Sequence, residues 1–246
     1  MYRILARQHL SQLERFAAST VLLGFDFDGT LAPLVDDPRA ARMRTSTRRL
    51  LTAVARRYPV TVISGRARAD VAARLGSVPV THVSGNHGLE PWGETPAYAA
   101  AAAAWTAQLR DALAGEAGVV VEDKRYSVTV HYRAAPSRTR AARHVREVAR
   151  TLTGARLIDG HESIALVPMS APHKGDALEL ARRALGCDTA LFVGDDQTDE
   201  DVFRTADHSR VLTIRVGARR DSAAEYCIRA QEEIDLLLRY LLKVRR

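Results

Sequence analysis

Lysine is nearly missing from this chain of 246 residues: only Lys124, Lys174 and Lys243 occur, and arginine supplies almost all of the positive charge. Cysteine is scarcer still, with Cys187 and Cys227 alone. Two widely separated thiols build neither a disulfide framework nor a metal knot, so both are read as packing residues. No apolar run approaches the ~20 residues that span a bilayer, which predicts no membrane partner. Met1 to Phe16 reads as an amphipathic helix carrying Arg3, Arg7, Glu14 and Arg15. It lacks the apolar run and small-residue cleavage site of a secretory leader, so a cytoplasmic location is expected. A basic stripe interleaved with aromatics is also absent, so the net charge of +7 is read as dispersed arginine and no nucleic-acid partner is expected. That charge favours an anionic small substrate through general steering.

What is present is a 46% apolar chain, long enough for one large domain or a core with a smaller insert. Its organising stretch is Val21-Leu22-Leu23-Gly24-Phe25-Asp26-Phe27-Asp28-Gly29-Thr30-Leu31. An apolar run of strand length delivers Asp26 and Asp28 to the point where the strand stops, and Gly29 permits a tight turn. Alternation puts both acids on one side and Phe27 on the other. Two acids that close repel unless a cation or phosphoryl group lies between them. One would attack or bind a metal while the other moves a proton. By itself Asp-x-Asp is more often a solvated turn, so later partners decide its meaning.

Those partners follow in order. Ser46 to Tyr58 reads as a helix, Val60 to Ile63 as a buried strand ending in Ser64-Gly65-Arg66, Arg68 to Leu75 as a helix, and Val80 to Val83 as a strand running into Gly85-Asn86-His87-Gly88-Leu89-Glu90. This βαβαβ pattern predicts a doubly wound parallel sheet. Between Pro91 and Pro168 the pattern becomes helix, strand, strand, twice over, which predicts a separate α+β insert with an antiparallel sheet. Its helices lie near 96–114 and 137–152, and its strands near 118–122, 126–132, 156–159 and 163–167. From Lys174 the first pattern resumes, with the strand Ala190 to Val193 ending in Gly194-Asp195-Asp196-Gln197-Thr198-Asp199, a helix through Phe203, and the strand Val211 to Val216. A C-terminal helix has Ile234, Leu237, Leu238 and Leu241 on its inner face. The expected fold is a Rossmann-like α/β core over residues 1–92 and 171–246 with a two-unit αββ insert over 93–170.

Each later signal has a bland reading. Ser64-Gly65 is commonly a turn, and Lys174 reads equally as a solvated residue. Yet a cation in the first turn of a helix opposes the helix dipole, and a lysine in an arginine chain hints at a chosen compact point charge. A dense acid cluster after a buried strand is costly without a cation, and hard carboxylate oxygens without a soft ligand suit Mg²⁺.

Taken together, Asp26-Phe27-Asp28-Gly29-Thr30, Ser64, Lys174 and Gly194-Asp195-Asp196 resemble the four motifs of the haloacid dehalogenase superfamily of aspartate-dependent phosphohydrolases. Within it the chain resembles the trehalose-6-phosphate phosphatase family over nearly its full length. The closer signals are Ile63-Ser64-Gly65-Arg66, Gly85 to Glu90, Glu122-Asp123-Lys124 leading to His131-Tyr132-Arg133, and Gly194 to Glu200. The resemblance implies that Asp26 is the nucleophile of an aspartyl-phosphate mechanism and that Asp28 protonates the leaving oxygen, then activates water. It implies that Ser64 and Lys174 bind phosphoryl oxygens, and that Asp26, the Asp28 carbonyl and Asp195 hold Mg²⁺. Asp199 would join them directly or support them from behind. Substrate contacts are expected from Gly65, Arg66, His87 and Glu90, and from Lys124, His131 and Arg133 in the insert, which serves as the cap. The insert's charged residues have a competing reading as a solvated sheet face.

The implied activity is Mg²⁺-dependent hydrolysis of a sugar phosphate, with trehalose 6-phosphate leading and the protein acting as a monomer. A related disaccharide or pseudo-disaccharide phosphate is the alternative, followed by a non-catalytic sugar-phosphate binder. One departure bears on the sugar. The family carries a Glu-x-Arg-Pro signature on its last cap strand, whereas this chain has Ala165-Leu166-Val167-Pro168. Glu162 or His161 would substitute only if a bulge shifted that strand's register.

Overall fold

The computed structural model describes residues 1–245, and the chain forms two compact units, Met1–Gly88 with His173–Arg246, and Leu89–Pro172. In the first unit β1 (Tyr2–Arg3) leads to a 3₁₀ turn at Arg7–His9 and α1 (Leu10–Ala18). There follow β2 (Val21–Phe25), α2 (Thr45–Ala55), β3 (Val60–Ile63), α3 (Arg68–Leu75) and β4 (His82–Ser84). The second unit holds α4 (Pro96–Ala112), β5 (Val120–Asp123), β6 (Val128–His131), α5 (Arg138–Arg150), β7 (Ala155–Gly160) and β8 (Ser163–Pro168). The chain then returns through α6 (Lys174–Ala184), β9 (Thr189–Gly194), α7 (Glu200–Thr205), β10 (Val211–Val216), β11 (Tyr226–Ile228) and α8 (Ile234–Val244). Among the described residues no helix is long and apolar enough to cross a membrane.

The first unit is the expected doubly wound sheet: seven parallel strands in the order β1-β11-β10-β9-β2-β3-β4. All five residues of β2 are buried, which is why Val-Leu-Leu-Gly-Phe shows no polar alternation: helices cover both faces of a central parallel strand. Gly24 is part of that covering, since a Cβ there would come within 2.8 Å of Leu178 on α6 and 2.9 Å of Phe192 on β9. On the other side α8 buries Ile234, Leu237, Leu238 and Leu241, and the buried Tyr58 hydroxyl donates to the Leu241 carbonyl at 2.9 Å.

The N-terminus departs from expectation. Tyr2 and Arg3 pair with Tyr226 and Cys227 of β11 as an edge strand, and α1 starts only at Leu10. The amphipathic spacing survives in Leu13, Phe16 and Ala17, all buried. The first residues instead find their backbone partners across the fold, at a three-residue strand too short to show a period.

In the second unit an antiparallel sheet runs in the order β5-β6-β8-β7. Val128, Val130, Ile164 and Leu166 pack with Ala102, Trp105 and Leu109 of α4 and Val145 and Ala149 of α5, so both helices cover one face. The alanine-rich α4 begins at Pro96 after Thr95, whose hydroxyl accepts from the Tyr98 amide at 3.2 Å, a helix start that fits proline at the first position. Pairing of β7 with β8 runs unbroken from Ala155↔Pro168 to Gly160↔Ser163. No bulge therefore moves Glu162 or His161 to the position of Ala165. Ala165 and Val167 instead gather with Ile158 in a small apolar cluster, on the face opposite Ile164 and Leu166.

Both cysteines are buried and unpaired, in keeping with a packing role. Leu237 is fully buried, so Leu237→Ala is expected to cost about 2–5 kcal/mol of unfolding free energy. Urea denaturation measures this, and a loss below about 1 kcal/mol would show that α8 is not part of the cooperative core.

Candidate active site

Strand order reverses between β2 and β9: the chain builds outward through β3 and β4 on one side and through β10 and β11 on the other. The crevice outside the carboxyl ends at such a switch point is the usual ligand position of a doubly wound sheet. Asp26 lies there, its amide still donating to the Val193 carbonyl at 2.9 Å. The chain then folds over tightly, with the Ala32 amide donating to the Phe27 carbonyl and the Gly29 amide to the Ala32 carbonyl, both at 2.8 Å. Gly29 has φ +81°, and a Cβ there would lie 2.0–2.6 Å from the Asp195 carboxylate. Glycine is thus required both by conformation and by the approach of Asp195, the acid that follows β9.

Lys174 is the first residue of α6 and only 2% exposed. Its Nζ donates to Asp26 Oδ1 and Asp199 Oδ1, each at 2.8 Å. The position is set by His173, whose Nδ1 accepts from the amides of Gly175 and Asp176, while Asp176 Oδ2 accepts from the His173 amide. This reciprocal cap starts the helix so that its first side chain enters the acid cluster. The electrostatic oddity of a lysine in a first turn is resolved by those two carboxylates.

Asp26, Asp195 and Asp199 each offer an oxygen within 4.8 Å of the others, a group able to hold a metal ion. Burial pushes the Asp26 carboxyl well above the usual range, reinforced by Asp199 and Asp195 and opposed by Lys174. Asp195 is pushed up to about 8, chiefly by burial, then by Asp199 and Asp196. Burial works against the Lys174 charge, but Asp199, Asp26 and Asp196 outweigh it and raise its pKa well above an ordinary lysine. Like charges 4 Å apart repel by roughly 4 kcal/mol at an effective dielectric of about 20. One ammonium cannot offset three carboxylates, so the cluster holds a proton or takes up a cation. Its all-oxygen donors suit a hard dication.

Asp28 is arranged differently. Arg66 grips it with both arms of the guanidinium, Nε to Oδ2 at 2.6 Å and Nη2 to Oδ1 at 2.7 Å. The same Arg66 donates to Asp70 at 2.9 Å and to the Pro38 carbonyl at 2.7 Å. The Asp28 carboxylate is thus engaged by an arginine and is not in the three-acid group. Ser64 is buried at the end of β3, next to β2, with its Oγ accepting from the Arg66 amide at 3.2 Å. Asn86, His87 and Gly88 follow β4 with positive φ values of 49°, 61° and 108°. Their turn binds the Ser64–Arg66 loop, the Asn86 amide donating to the Arg66 carbonyl at 2.8 Å and the His87 amide to the Ser64 carbonyl at 2.9 Å. A Cβ on Gly65 would come 2.5 Å from the His87 ring, so the imidazole lies directly against that glycine.

The remaining candidates lie in the second unit. Lys124 and His131 share Glu122, at 3.7 Å and 2.7 Å. Arg133 pairs instead with Glu162 at 3.2 Å and donates to the His161 carbonyl at 3.3 Å. Glu90, half-buried, follows directly on Leu89 at the start of this unit. The sheet therefore gathers Lys124 with His131 and gives Arg133 a separate acid.

Four residues escaped the sequence reading. The Thr30 hydroxyl donates to Asp195 Oδ1 at 3.0 Å, and Asp70 anchors Arg66. Arg215 and Glu200 form a buried ion pair at 2.8 Å beside the acid loop. Thr30 and Glu200 stand at the ends of recognised motifs but carried no role of their own; Arg215 sits inside an apolar strand and Asp70 inside a helix, where only the fold reveals their partners.

A parallel sheet with an acid pair after β2, a serine after β3, a helix-start lysine and an acid loop after β9 is the arrangement expected from the resemblance to haloacid dehalogenase-like phosphohydrolases, and the chain carries an αββαββ unit besides. The trehalose-phosphatase family model matches residues 24–228, and the chain belongs to that family. It is 42% identical over 199 residues to a trehalose-phosphate phosphatase of Mycolicibacterium paratuberculosis, covering 73% of this chain and 49% of that protein. It is 38% identical over 218 residues to the trehalose-phosphate phosphatase of Mycobacterium tuberculosis, covering 80% and 54%. The chain thus spans about half the length of these relatives. In fold it is similar to the C-terminal domain of Candida albicans trehalose-6-phosphate phosphatase, with TM-score 0.77 and 21% identity over 99% of this chain and 98% of that one.

The raised pKa of Asp195 gives a pH test. In the folded chain this group binds its proton up to about pH 8, against an ordinary value of 3.8. Its neutral form favours folding, so its contribution is greatest below about pH 4 and is lost as pH rises toward 8. At ~1.4 kcal/mol per pKa unit, Asp195→Asn is expected to gain stability over wild type between pH 5 and pH 8.5 in chelator. Denaturation midpoints at the two pH values measure it; an unchanged difference would mean that Asp195 carries no buried charge.

Proposed function

We propose that the protein hydrolyses a sugar phosphate, trehalose 6-phosphate foremost, in a Mg²⁺-dependent reaction through an aspartyl-phosphate on Asp26. The observation that carries this reading is the buried Asp26–Lys174–Asp199 contact beside Asp195 at the switch point. Asp26 attacks phosphorus as the bond to the sugar oxygen breaks, and Asp28 delivers its proton to that leaving oxygen. Water then attacks the aspartyl-phosphate, Asp28 takes its proton, and phosphate leaves with Asp26 restored. Lys174 and Ser64 hold phosphoryl oxygens where negative charge develops, and the fork of Arg66 aims Asp28. Asp26, Asp195 and the Asp28 carbonyl would hold Mg²⁺, which supplies charge neutralisation between carboxylate and phosphoryl group. Asp199 supports them, one oxygen taken by Lys174 and the other by the amides of Asp195 and Asp196. Gly65, His87, Glu90, Lys124, His131 and Arg133 are assigned to substrate contact, the cationic and imidazole side chains donating and Glu90 accepting, a set that suits a polyhydroxylated anion.

Phosphate release at saturating Mg²⁺ tests the chemistry. Asp26→Asn removes the nucleophilic charge at constant shape and is expected to lower turnover by at least ~10³-fold, with Asp28→Asn severely impaired as well. Near-wild-type turnover by Asp26→Asn would sink the mechanism.

A related disaccharide phosphate is the second reading, favoured by the apolar Ile158–Ala165–Val167 cluster and its unbroken register. Where the family signature has Glu and Arg, this strand presents the apolar Ala165 and Val167. Each lost hydrogen bond to a sugar costs about 0.5–1.5 kcal/mol and each charged one about 1.5–3. Recognition of trehalose 6-phosphate is then expected to be roughly 10- to several-hundred-fold weaker than with the signature intact. Specificity constants across disaccharide phosphates, for wild type and Ala165→Glu/Val167→Arg, measure this. If the double change leaves trehalose 6-phosphate unimproved, the remodelled pocket is refuted and the phosphatase reading stands.

A further inference from the structure

We propose that Arg215 and Glu200 are a positioning pair that presets the Asp195–Asp196 loop for a divalent cation. The inference rests on the metal reading above and joins Glu200, the last residue of the acid-loop motif, to Arg215, which lies outside every motif described so far. Arg215 is on β10, in register with Gly194 at the end of β9, and is 5% exposed. Its Nη2 donates to the Asp195 carbonyl, its Nη1 to the Asp196 carbonyl at 3.2 Å and to Glu200 Oε1 at 2.8 Å. Glu200, 3% exposed, uses its other oxygen to accept from the Ala223 amide at 2.9 Å.

The loop is therefore held from two sides. Asp199 Oδ2 takes the amides of Asp195 and Asp196 at 2.9 and 3.0 Å, while the guanidinium takes their carbonyls. With both peptide units fixed, the remaining freedom of Asp195 is its side chain, which Thr30 steadies and which points its carboxylate to Asp26 and Asp199. Electrostatics makes the arrangement informative. A lone buried cation this close to a cation site would oppose metal binding, and Glu200 cancels it at 2.8 Å. What remains is the planar fork, whose two arms reach adjacent carbonyls in a way that a lysine's point charge cannot reproduce. A pair that merely closed the end of the sheet would influence folding alone.

Calorimetric titration with Mg²⁺ in metal-free buffer separates the two roles, using the whole chain as wild type, Arg215→Met/Glu200→Gln and Arg215→Lys. The double variant leaves no buried orphan charge. The expected result is a 10–100-fold weaker Mg²⁺ affinity, the usual consequence of losing a ligand-orienting partner, with cooperative urea unfolding retained. Arg215→Lys is expected to be weakened several-fold, lying between the two. Wild-type affinity in the double variant, or full wild-type affinity in Arg215→Lys, overturns the proposal. If the double variant does not fold, Arg215→Lys alone decides by the same criterion. A wild type that takes up no Mg²⁺ overturns the metal reading and this inference with it, whereas binding by wild type with unaltered binding by the variants overturns only the pair.

Discussion

The constraint on which the rest of the first unit depends is the burial of one ammonium among carboxylates. Lys174 touches Asp26 and Asp199 at 2.8 Å, and Asp195 lies close enough to join them around one ion. Removing charges from water costs several kcal/mol per ion unless each finds partners. Every surrounding feature supplies a partner or a fixed position: the His173 cap sets the lysine, the amides of the acid loop satisfy Asp199, and Thr30 satisfies Asp195. The excess of negative charge that remains makes the cluster a group able to hold a hard cation.

Parallel-sheet geometry makes this concentration possible. Strands β2, β3 and β9 are neighbours, all ending on the same side, so acids distant in the chain are adjacent in space. Close approach demands small residues: Gly29 under the Asp195 carboxylate, Gly65 under His87, and Gly194, where a Cβ would come 2.2 Å from the Asp199 carboxyl carbon. Asp28 stands apart from this core, and Arg66 gives it a bidentate partner of its own. The two strand-end acids thereby occupy different electrostatic environments, one buried against an ammonium and other acids, the other held by a guanidinium fork.

The second unit follows simpler rules. One face of its sheet is apolar and covered by α4 and α5, while the other combines Glu122, His131 and Thr129 with the apolar Ala165 and Val167. Strand alternation dictates that split, and the two-residue turn at His161 and Glu162 holds the register that keeps Ala165 and Val167 on the second face.

The sequence by itself determined the layout. Apolar runs of strand length, each ending in Asp, Ser or Gly, marked the carboxyl ends of β2, β3 and β9, and helical spacing in α8 marked Ile234, Leu237, Leu238 and Leu241 as core. Local periodicity carries that information because it records which faces are buried. What only the tertiary structure decided are the pairings that cross the fold: Tyr2 with Tyr226, Arg66 with Asp28, Lys174 with both Asp26 and Asp199, and Arg215 with the carbonyls of Asp195 and Asp196. A single arginine within an apolar strand, or a dipeptide at a sheet edge, has no period of its own. Its partner is chosen by strand order, and strand order is settled by the packing of the whole chain.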